Sequence, residues 1–580
     1  MFDLVIRNGT VVDGTGAKPF TADVGVKDDR IAAVGINLGE GTREIDATGF
    51  FVTPGWVDVH THYDGQVTWD PELSPSGTNG VTTMVMGNCG VGFAPVRPGQ
   101  EEFLINLMEG VEDIPGSALS LGMKWNWETF PEYMDALEGT PRVADVAVQV
   151  PHGPVRAYVM GDRGARNEEA TPEDIEAMYK IVKEGMEAGA VGFTSSRVLG
   201  HKSSDGECVP GTFAGDEELL GILKAIGEVG QGVFAVSSGS VISGDTTKDL
   251  PIPDEDDEVF RLRRLAKATG RPVMFACVQS SADPSQWKRM LDACDQAAEE
   301  GMQLIPQIEA RPAGLLCGFD GTIHPFALCE SFQPLLDLSP EERNQALRQP
   351  DVRARLLSEE PDTSSHPPAV AFVFSAWDMM YQLGDPPDYE PEPETSLTYM
   401  AAEKGMDPKE LAYEIMLEGD YLYLPVMNYV DGNMDATLEM MRHDKSIFGL
   451  ADGGAHCGFI TDASICTFLL THWVRDRKRG EKLPIEWVVE QQTRTTARLY
   501  GMEDRGVIAE GMLADLNVID LDNLVLRKPV MAFDLPGNER RLMQAVEGYR
   551  YTIKSGEVTF EDNQATGQTP GRVVRGPQHA

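Results

Sequence analysis

The sequence predicts an α/β protein built as a (β/α)8 TIM barrel, with a small β-sandwich domain assembled from both chain termini. Three observations predict it. Compact apolar runs alternate with amphipathic helical stretches through the centre of the chain. Both ends read as β-meanders, and neither carries enough apolar surface for a stable sheet alone. The first central strand runs into His60-Thr-His62 and the last into Ala451-Asp452, and a barrel places its reactive groups at the C-terminal ends of its strands.

The elements follow in order. Leu4–Asp13, Ala22–Val26 and Arg30–Gly35 are short β-branched runs broken by Asn-Gly, Asp-Gly and Asp-Asp turns. Asp515–Asp520, Tyr549–Lys554 and Glu557–Phe560 repeat the pattern at the other end, so each terminus supplies half of one β domain. Between them, the strand before His60 is followed by Val81–Met86, Val143–Val150, Ala190–Thr194, Gly232–Val236, Val273–Cys277, Gln303–Gln307 and Ile447–Ala451. Helical segments such as Pro172–Ala188, Asp216–Val229 and Asp257–Thr269 separate many of them, and Pro172 with its acidic neighbours suits a helix start. Eight strand-then-helix units predict the barrel. A doubly wound sheet is disfavoured because no glycine-rich phosphate loop follows an early strand.

The expected organisation is a composite β-sandwich over 1–53 and 505–580 around a barrel over 54–504. The stretch 311–394, ending in the proline- and acid-rich Gly384–Glu394, breaks the rhythm and reads as an elaborated loop or small subdomain at the barrel mouth.

Composition narrows the function classes. The 580 residues carry 49 basic and 92 acidic side chains, a net charge of -43 that repels nucleic acid and anionic membranes. No apolar run reaches membrane-spanning length. No secretory signal is visible at Met1-Phe-Asp-Leu-Val, and the eight cysteines lack framework spacing, so reduced thiols in a cytoplasmic protein are expected.

The chemistry centres on Val52–Asp64. Side chains at i and i+2 of a strand leave the same face, so His60 and His62 can converge on one metal ion. Strand two ends in Gly87-Asn-Cys-Gly90, where the Cys89 thiolate can also coordinate or the cysteine can be inert and buried. Asp452 follows the last strand and is backed by glycines; in a closed barrel strands one and eight are neighbours, which brings it to the two histidines.

At these residues the chain resembles the amidohydrolase superfamily, and within it the N-acyl-D-amino-acid deacylase (D-aminoacylase) group. The superfamily resemblance is carried by Leu4–Asp13, Val52–His62 and Arg505–Asp520. The deacylase resemblance is carried by Gly80–Pro95, Val111-Glu-Asp-Ile-Pro115, Trp127–Leu137, Gly189–Ser195 and Thr569–Val573. The resemblance implies a barrel inserted between β-domain halves and metal-dependent cleavage of a carbon–nitrogen bond.

Two departures stand out. The family carries metal-binding histidines after strands five and six; here Ser237 and Cys277 stand near those places, with Gln279 where the family has a lysine. Serine is a poor zinc ligand, and Cys277 reads as a buried apolar residue. The family's tyrosine-bearing stretch appears as Glu309-Ala-Arg-Pro312, so Arg311 either recognises a substrate carboxylate or forms a barrel-rim salt bridge. Arg197 and His201 lie in a loop where the family often lines its substrate pocket. His152 either reaches the substrate carbonyl or is packed at the rim, while His324, His366, His443, His472 and His579 read as structural or solvated.

The expected protein is therefore a metal-dependent amidohydrolase acting on a linear amide, an N-acylated (D-)amino acid or related small acyl amide. Zn2+, as one or two ions, is expected on His60, His62 and Asp452 with help from Cys89; another divalent metal is compatible. Asp452 is the catalytic base and then acid, and Arg311, Arg197 and His201 bind substrate. No nucleic-acid or membrane partner is expected, and barrels of this type commonly form homo-oligomers. Cyclic-amide hydrolysis is the enzymatic alternative, disfavoured because strand four lacks a lysine; the other alternative is a non-catalytic binding protein on the same scaffold.

Overall fold

The computed structural model describes residues 1–238, 255–363 and 368–580. The first strands are β1 (Phe2–Val11), β2 (Phe20–Lys27), β3 (Arg30–Gly35), β4 (Gly41–Asp46) and β5 (Phe51–Pro54). They share one nine-stranded sheet with β17 (Leu516–Ile519), Tyr549–Lys554, Glu557–Glu561 and Gln564–Ala565. The join between the termini is the antiparallel β5–β17 ladder, from Phe51↔Ile519 to Pro54↔Leu516. Alternating side chains such as Leu4, Ile6, Val24, Val26, Val52, Leu516, Val518 and Ile553 form one apolar cluster, which explains why neither terminus needs to be stable alone.

The central strands are parallel. β6 (Trp56–Asp58), β7 (Val81–Met86) and β8 (Asp145–Val148) form one sheet, edged on β8 by Val573–Val574. β9 (Val150–Pro151), β10 (Gly192–Ser196), β11 (Val233–Ser237), β12 (Val273–Ala276) and β13 (Leu304–Gln307) form another. β8 and β9 are one expected strand divided at Gln149. Thr171 caps the helix Pro172–Glu187, which follows β9 and precedes β10, by accepting from Asp174 N, and Met178, Val182 and Met186 face inward at helical spacing.

One expected element is corrected. Ile447–Ala451 is not a strand. Single bridges, Gln307↔Ile447 and Thr61↔Gly453, join this segment and the turn after it to β13 on one side and to the residues just after β6 on the other. Gly449 sits at φ +95°, which interrupts the extended run, and a Cβ there would lie 2.9 Å from Val59 Cγ2.

β14 (Gly314–Cys317), β15 (Tyr381–Gln382) and β16 (Leu422–Pro425) form a small antiparallel sheet. Phe319, Phe326, Phe332, Leu397, Leu411 and Tyr413 pack with it in an apolar cluster separate from the main core. Ion pairs tie the terminal sheet to the central strands: Asp145 Oδ2 meets Lys554 Nζ at 2.8 Å and Arg505 Nη1 at 2.7 Å. Burial pushes the Asp145 carboxyl up, but these two cations hold it down, to about 2. No helix among the described residues is long and apolar enough to cross a membrane.

Candidate metal centre

The chain leaves β6 with Thr61 turned away from its neighbours, its N–H and hydroxyl both donating to Val85 O at 3.1 and 2.9 Å. His60 and His62 therefore leave on the other side, with ring centroids 5.4 Å apart. His62 N donates to Gly453 O at 2.7 Å, which brings the Asp452 turn alongside. Gly454 holds φ +94°, and a Cβ there would lie 3.0 Å from the His62 carbonyl, so only glycine allows this approach. Cys89 and Asp452 themselves sit at φ +54° and +47°, sparsely populated backbone for such residues and a recurrent mark of functional sites.

Donor atoms converge here. One ligand atom each from His60, His62 and Cys89 lie within 4.8 Å of one another. His60 Nε2 is 3.2 Å from Asp452 Oδ1 and 3.4 Å from Cys89 Sγ, and His62 Nε2 is 3.5 Å from Asp452 Oδ1. Neither nitrogen of the buried His62 ring makes a hydrogen bond. Two ligands held at about 2.1 Å from one ion with tetrahedral angles lie about 3.4 Å apart. The separations match such edges better than they match hydrogen bonds. The residues present thus fit a divalent ion.

The electrostatics agree with a cation site. Burial pushes the His60 ring toward the neutral form, the form that binds metal. Burial has the same effect on His62, but Glu112 and Asp452 outweigh it and push its pKa well up. For Asp452, burial opposes the carboxylate, yet His60, His62 and His456 hold its pKa well below the usual range. Burial and the nearby Glu112 push the Cys89 thiol up to about 11. Burial also lifts the neighbouring Asp58 to about 7 and Asp64 to about 6.

The expected site residues fall into two groups. His60, His62, Cys89 and Asp452 come together. Arg311 and Arg197 are instead held by internal carboxylates. Arg311 is 1 % exposed, donates to Asp462 Oδ1 at 2.5 Å and Ser464 Oγ at 3.0 Å, and lies 4.0 Å over the Tyr389 ring. Arg197 Nε meets Glu258 Oε1 at 2.8 Å, and its Nη1 donates to Ala214 O. His201 pairs through Nδ1 with Ser196 Oγ at 2.9 Å, and burial together with His456 and His62 lowers it to about 3.

Ser237 stands beside Cys89, whereas Cys277 Sγ points at Met440 Sδ, 3.8 Å away. His152 is fully buried between Ser195 Oγ and Glu218 Oε1, each at 3.0 Å. That Ser–His–Glu chain resembles a nucleophile relay, but all three members are buried and Glu218 also pairs with Arg156. His324 packs edge-on to Phe319 and Phe332, His443 pairs with Asp295 and His472 with Glu390, and His579 is exposed; His366 lies outside the described residues.

Sequence reading missed three neighbours of the centre. Gln307, at the end of β13, places Oε1 3.1 Å from His60 Nδ1 and donates to Gly449 O. Glu112 faces His62, and His456 faces both Glu112 and Asp452. Glu112 stood in the Val111–Pro115 stretch and His456 in the Asp452 turn, but no periodicity marks either as convergent.

Residues 43–560 match the sequence pattern of the amidohydrolase family. The chain belongs to that family. The D-aminoacylase of Alcaligenes xylosoxydans xylosoxydans is 32% identical over 235 residues, 40% of this chain and 44% of that protein. The match thus spans less than half the length of that relative. The N-acyl-D-glutamate deacylase of the same organism is 26% identical over 584 residues, covering 99% of this chain and 96% of its own. A crystal structure of the N-acyl-D-glutamate deacylase from Bordetella bronchiseptica, complexed with zinc and a phosphonate inhibitor, superposes with a TM-score of 0.64. Its identity is 23%, with 99% of each chain covered, so this likeness speaks for the mixed α/β amidohydrolase fold.

Proposed function

We propose that this chain is a metal-dependent amidohydrolase that cleaves the linear amide of an N-acyl (D-)amino acid or a related small acyl amide. The observation that carries the reading is the convergence of His60, His62 and Cys89 within 4.8 Å beside Asp452 Oδ1. The full-length similarity to a deacylase of N-acyl-D-glutamate supports the substrate class. The bridges Gln307↔Ile447 and Thr61↔Gly453 support closure of the two parallel sheets into an eight-stranded barrel. We assign 1–53 with 505–580 to a β-sandwich domain and 54–504 to the barrel, with 311–394 as its elaboration.

His60, His62, Cys89 and Asp452 would hold a divalent ion such as Zn2+. When bound, a divalent ion lowers the pKa of a water and polarises the acyl carbonyl. Asp452, kept ionised by the facing imidazoles, accepts the proton of the attacking water. It then returns that proton to the departing amine. His201, next to Ser196 at the end of β10, and Arg311 orient the substrate, the guanidinium acting through Asp462 and Tyr389. Arg197, four residues before His201, is fixed by its pair with Glu258.

The test is hydrolysis of a panel of N-acyl-D- and N-acyl-L-amino acids by zinc-loaded protein, beside an Asp452→Asn variant. Turnover of at least one panel member, lost in Asp452→Asn with unchanged circular dichroism, is expected. Normal turnover by Asp452→Asn sinks the mechanism. A protein that binds zinc but turns over only cyclic amides sinks the substrate class.

A further inference from the structure

We propose that Glu112 is the positioning carboxylate of this centre: it sets the tautomer and orientation of His62 and, through His456, the placement of Asp452. The inference rests on the reading of His60, His62 and Cys89 as metal ligands.

Glu112 is the last residue of α1 (Glu101–Glu112) and is 1 % exposed. A carboxylate is doubly disfavoured there, by burial and by the negative end of the helix dipole. Such a placement needs partners that can turn an N–H toward the carboxylate. Among the described residues, the ion pairs of Glu112 are with two histidines and no lysine or arginine. Oε1 lies 3.5 Å from His62 Nδ1, and Oε2 lies 3.8 Å from His456 Nε2. His456 Nε2 is in turn 3.8 Å from Asp452 Oδ2, which closes a ring of four ionisable side chains. The backbone reinforces the ring, because His456 N donates to Glu112 O.

The chemistry follows from which atom faces which. With a carboxylate at Nδ1, the favoured tautomer of His62 carries its proton there and leaves the Nε2 lone pair facing Asp452. Carboxylate partners of this kind orient ligand histidines and raise their basicity. The 3.5 Å gap is longer than a hydrogen bond, and Glu112 Oε1 has no other partner, so the pair is free to tighten when Nε2 is engaged. His60 has a different partner. Its Nδ1 faces the neutral amide oxygen of Gln307 at 3.1 Å. The two histidines are thus oriented by unlike groups, and His62 is the stronger donor of the pair.

Cobalt titration of the full-length protein tests this, using Co2+ alone as probe and following the thiolate-to-cobalt absorption of Cys89. Glu112→Gln keeps the size and an acceptor but removes the charge. It is expected to weaken cobalt binding about 10- to 100-fold while retaining the thiolate band and the metal stoichiometry. Glu112→Asp, which keeps the charge, is expected to recover part of the loss. His456→Gln alters a side chain that is 17% exposed; it is expected to weaken binding less, and it serves if Glu112→Gln does not fold. A lowered melting temperature with unchanged cobalt affinity in the Glu112 and His456 variants overturns the proposal, since that is a structural role only. Loss of a whole equivalent of metal also overturns it, because Glu112 would then be a ligand. If the unaltered protein binds no cobalt, the metal reading itself fails and takes this inference with it, a result distinct from the other two.

Discussion

The Ser237 hydroxyl donates to the Cys89 sulfur across 3.2 Å. Ser237 ends β11, so the end of the fifth parallel strand contributes a hydrogen-bond donor to the centre where the resemblance implied a histidine. Removing one such bond costs about 1 kcal/mol, and Ser237→Ala is therefore expected to weaken cobalt binding roughly fivefold and to shift the thiolate absorption. Ser237→His, which offers an imidazole at the same point, is expected to tighten binding by about tenfold or more. Equal affinity in all three proteins would place Ser237 outside the centre.

Metal removal has its own signature. An ion that binds the folded chain stabilises it by about 2.7 kcal/mol at a hundred times its dissociation constant. Thermal unfolding of chelator-treated protein is expected to shift upward by a few degrees when zinc is restored. The same addition is expected to leave a His60→Ala/His62→Ala double variant unmoved. A shift in the double variant equal to that of the parent would show that zinc stabilises the chain elsewhere.

Arg311 separates a structural from a substrate role. Its guanidinium is enclosed by Asp462, Ser464 and Tyr389, and Glu309 lies in the same buried group. Burial and the charge of Asp462 already push the Glu309 carboxyl well up, with Arg311 opposing them. Arg311→Met leaves those acids without their cation, and a loss of about 3–5 kcal/mol in unfolding free energy is expected. Arg311→Met combined with Asp462→Leu is expected to regain much of it. A raised KM with an unchanged melting temperature in the single variant would instead make Arg311 a direct substrate ligand.

Acid stability is expected to depend on Glu218. Burial raises its pKa, but the hydrogen bond with His152 and the charge of Arg156 outweigh this and hold it at about 2, against 4.5 unperturbed. The unfolded chain therefore takes up this proton first. The stabilisation is fully present above about pH 4.5 and is lost as pH falls toward 2, a change of about 3 kcal/mol. Glu218→Gln is expected to be less stable than the parent at pH 7 and to show a flatter decline between pH 5 and 2. Parallel pH profiles for the two proteins would refute this assignment.

Legibility in the sequence followed the range of the interactions. The strands Arg30–Gly35, Val81–Met86 and Tyr549–Lys554 are found where their β-branched runs predicted them, because strand periodicity and turn residues are local. The start of the helix at Pro172 was legible for the same reason, and the capping box at Thr171 confirms it. The eighth run was misread as a strand. Its composition suits an extended segment, but Gly449 turns to positive φ where Gln307 reaches its carbonyl, and the pairing is confined to isolated bridges.

The sequence by itself determined the histidine pair. Two residues apart on an extended chain, His60 and His62 share a side in any fold, because strand side chains alternate with period two. It also determined that Cys89 and Asp452 stand beside glycines able to carry unusual backbone. Only the tertiary structure decided what surrounds them. Glu112 comes from a helix end 50 residues after His62, Gln307 from the end of β13, and His456 from the turn that also presents Asp452. It likewise decided that Arg311 and Arg197 face internal carboxylates. Such pairings depend on which buried charges meet, and burial is a property of the assembled fold that no local pattern encodes.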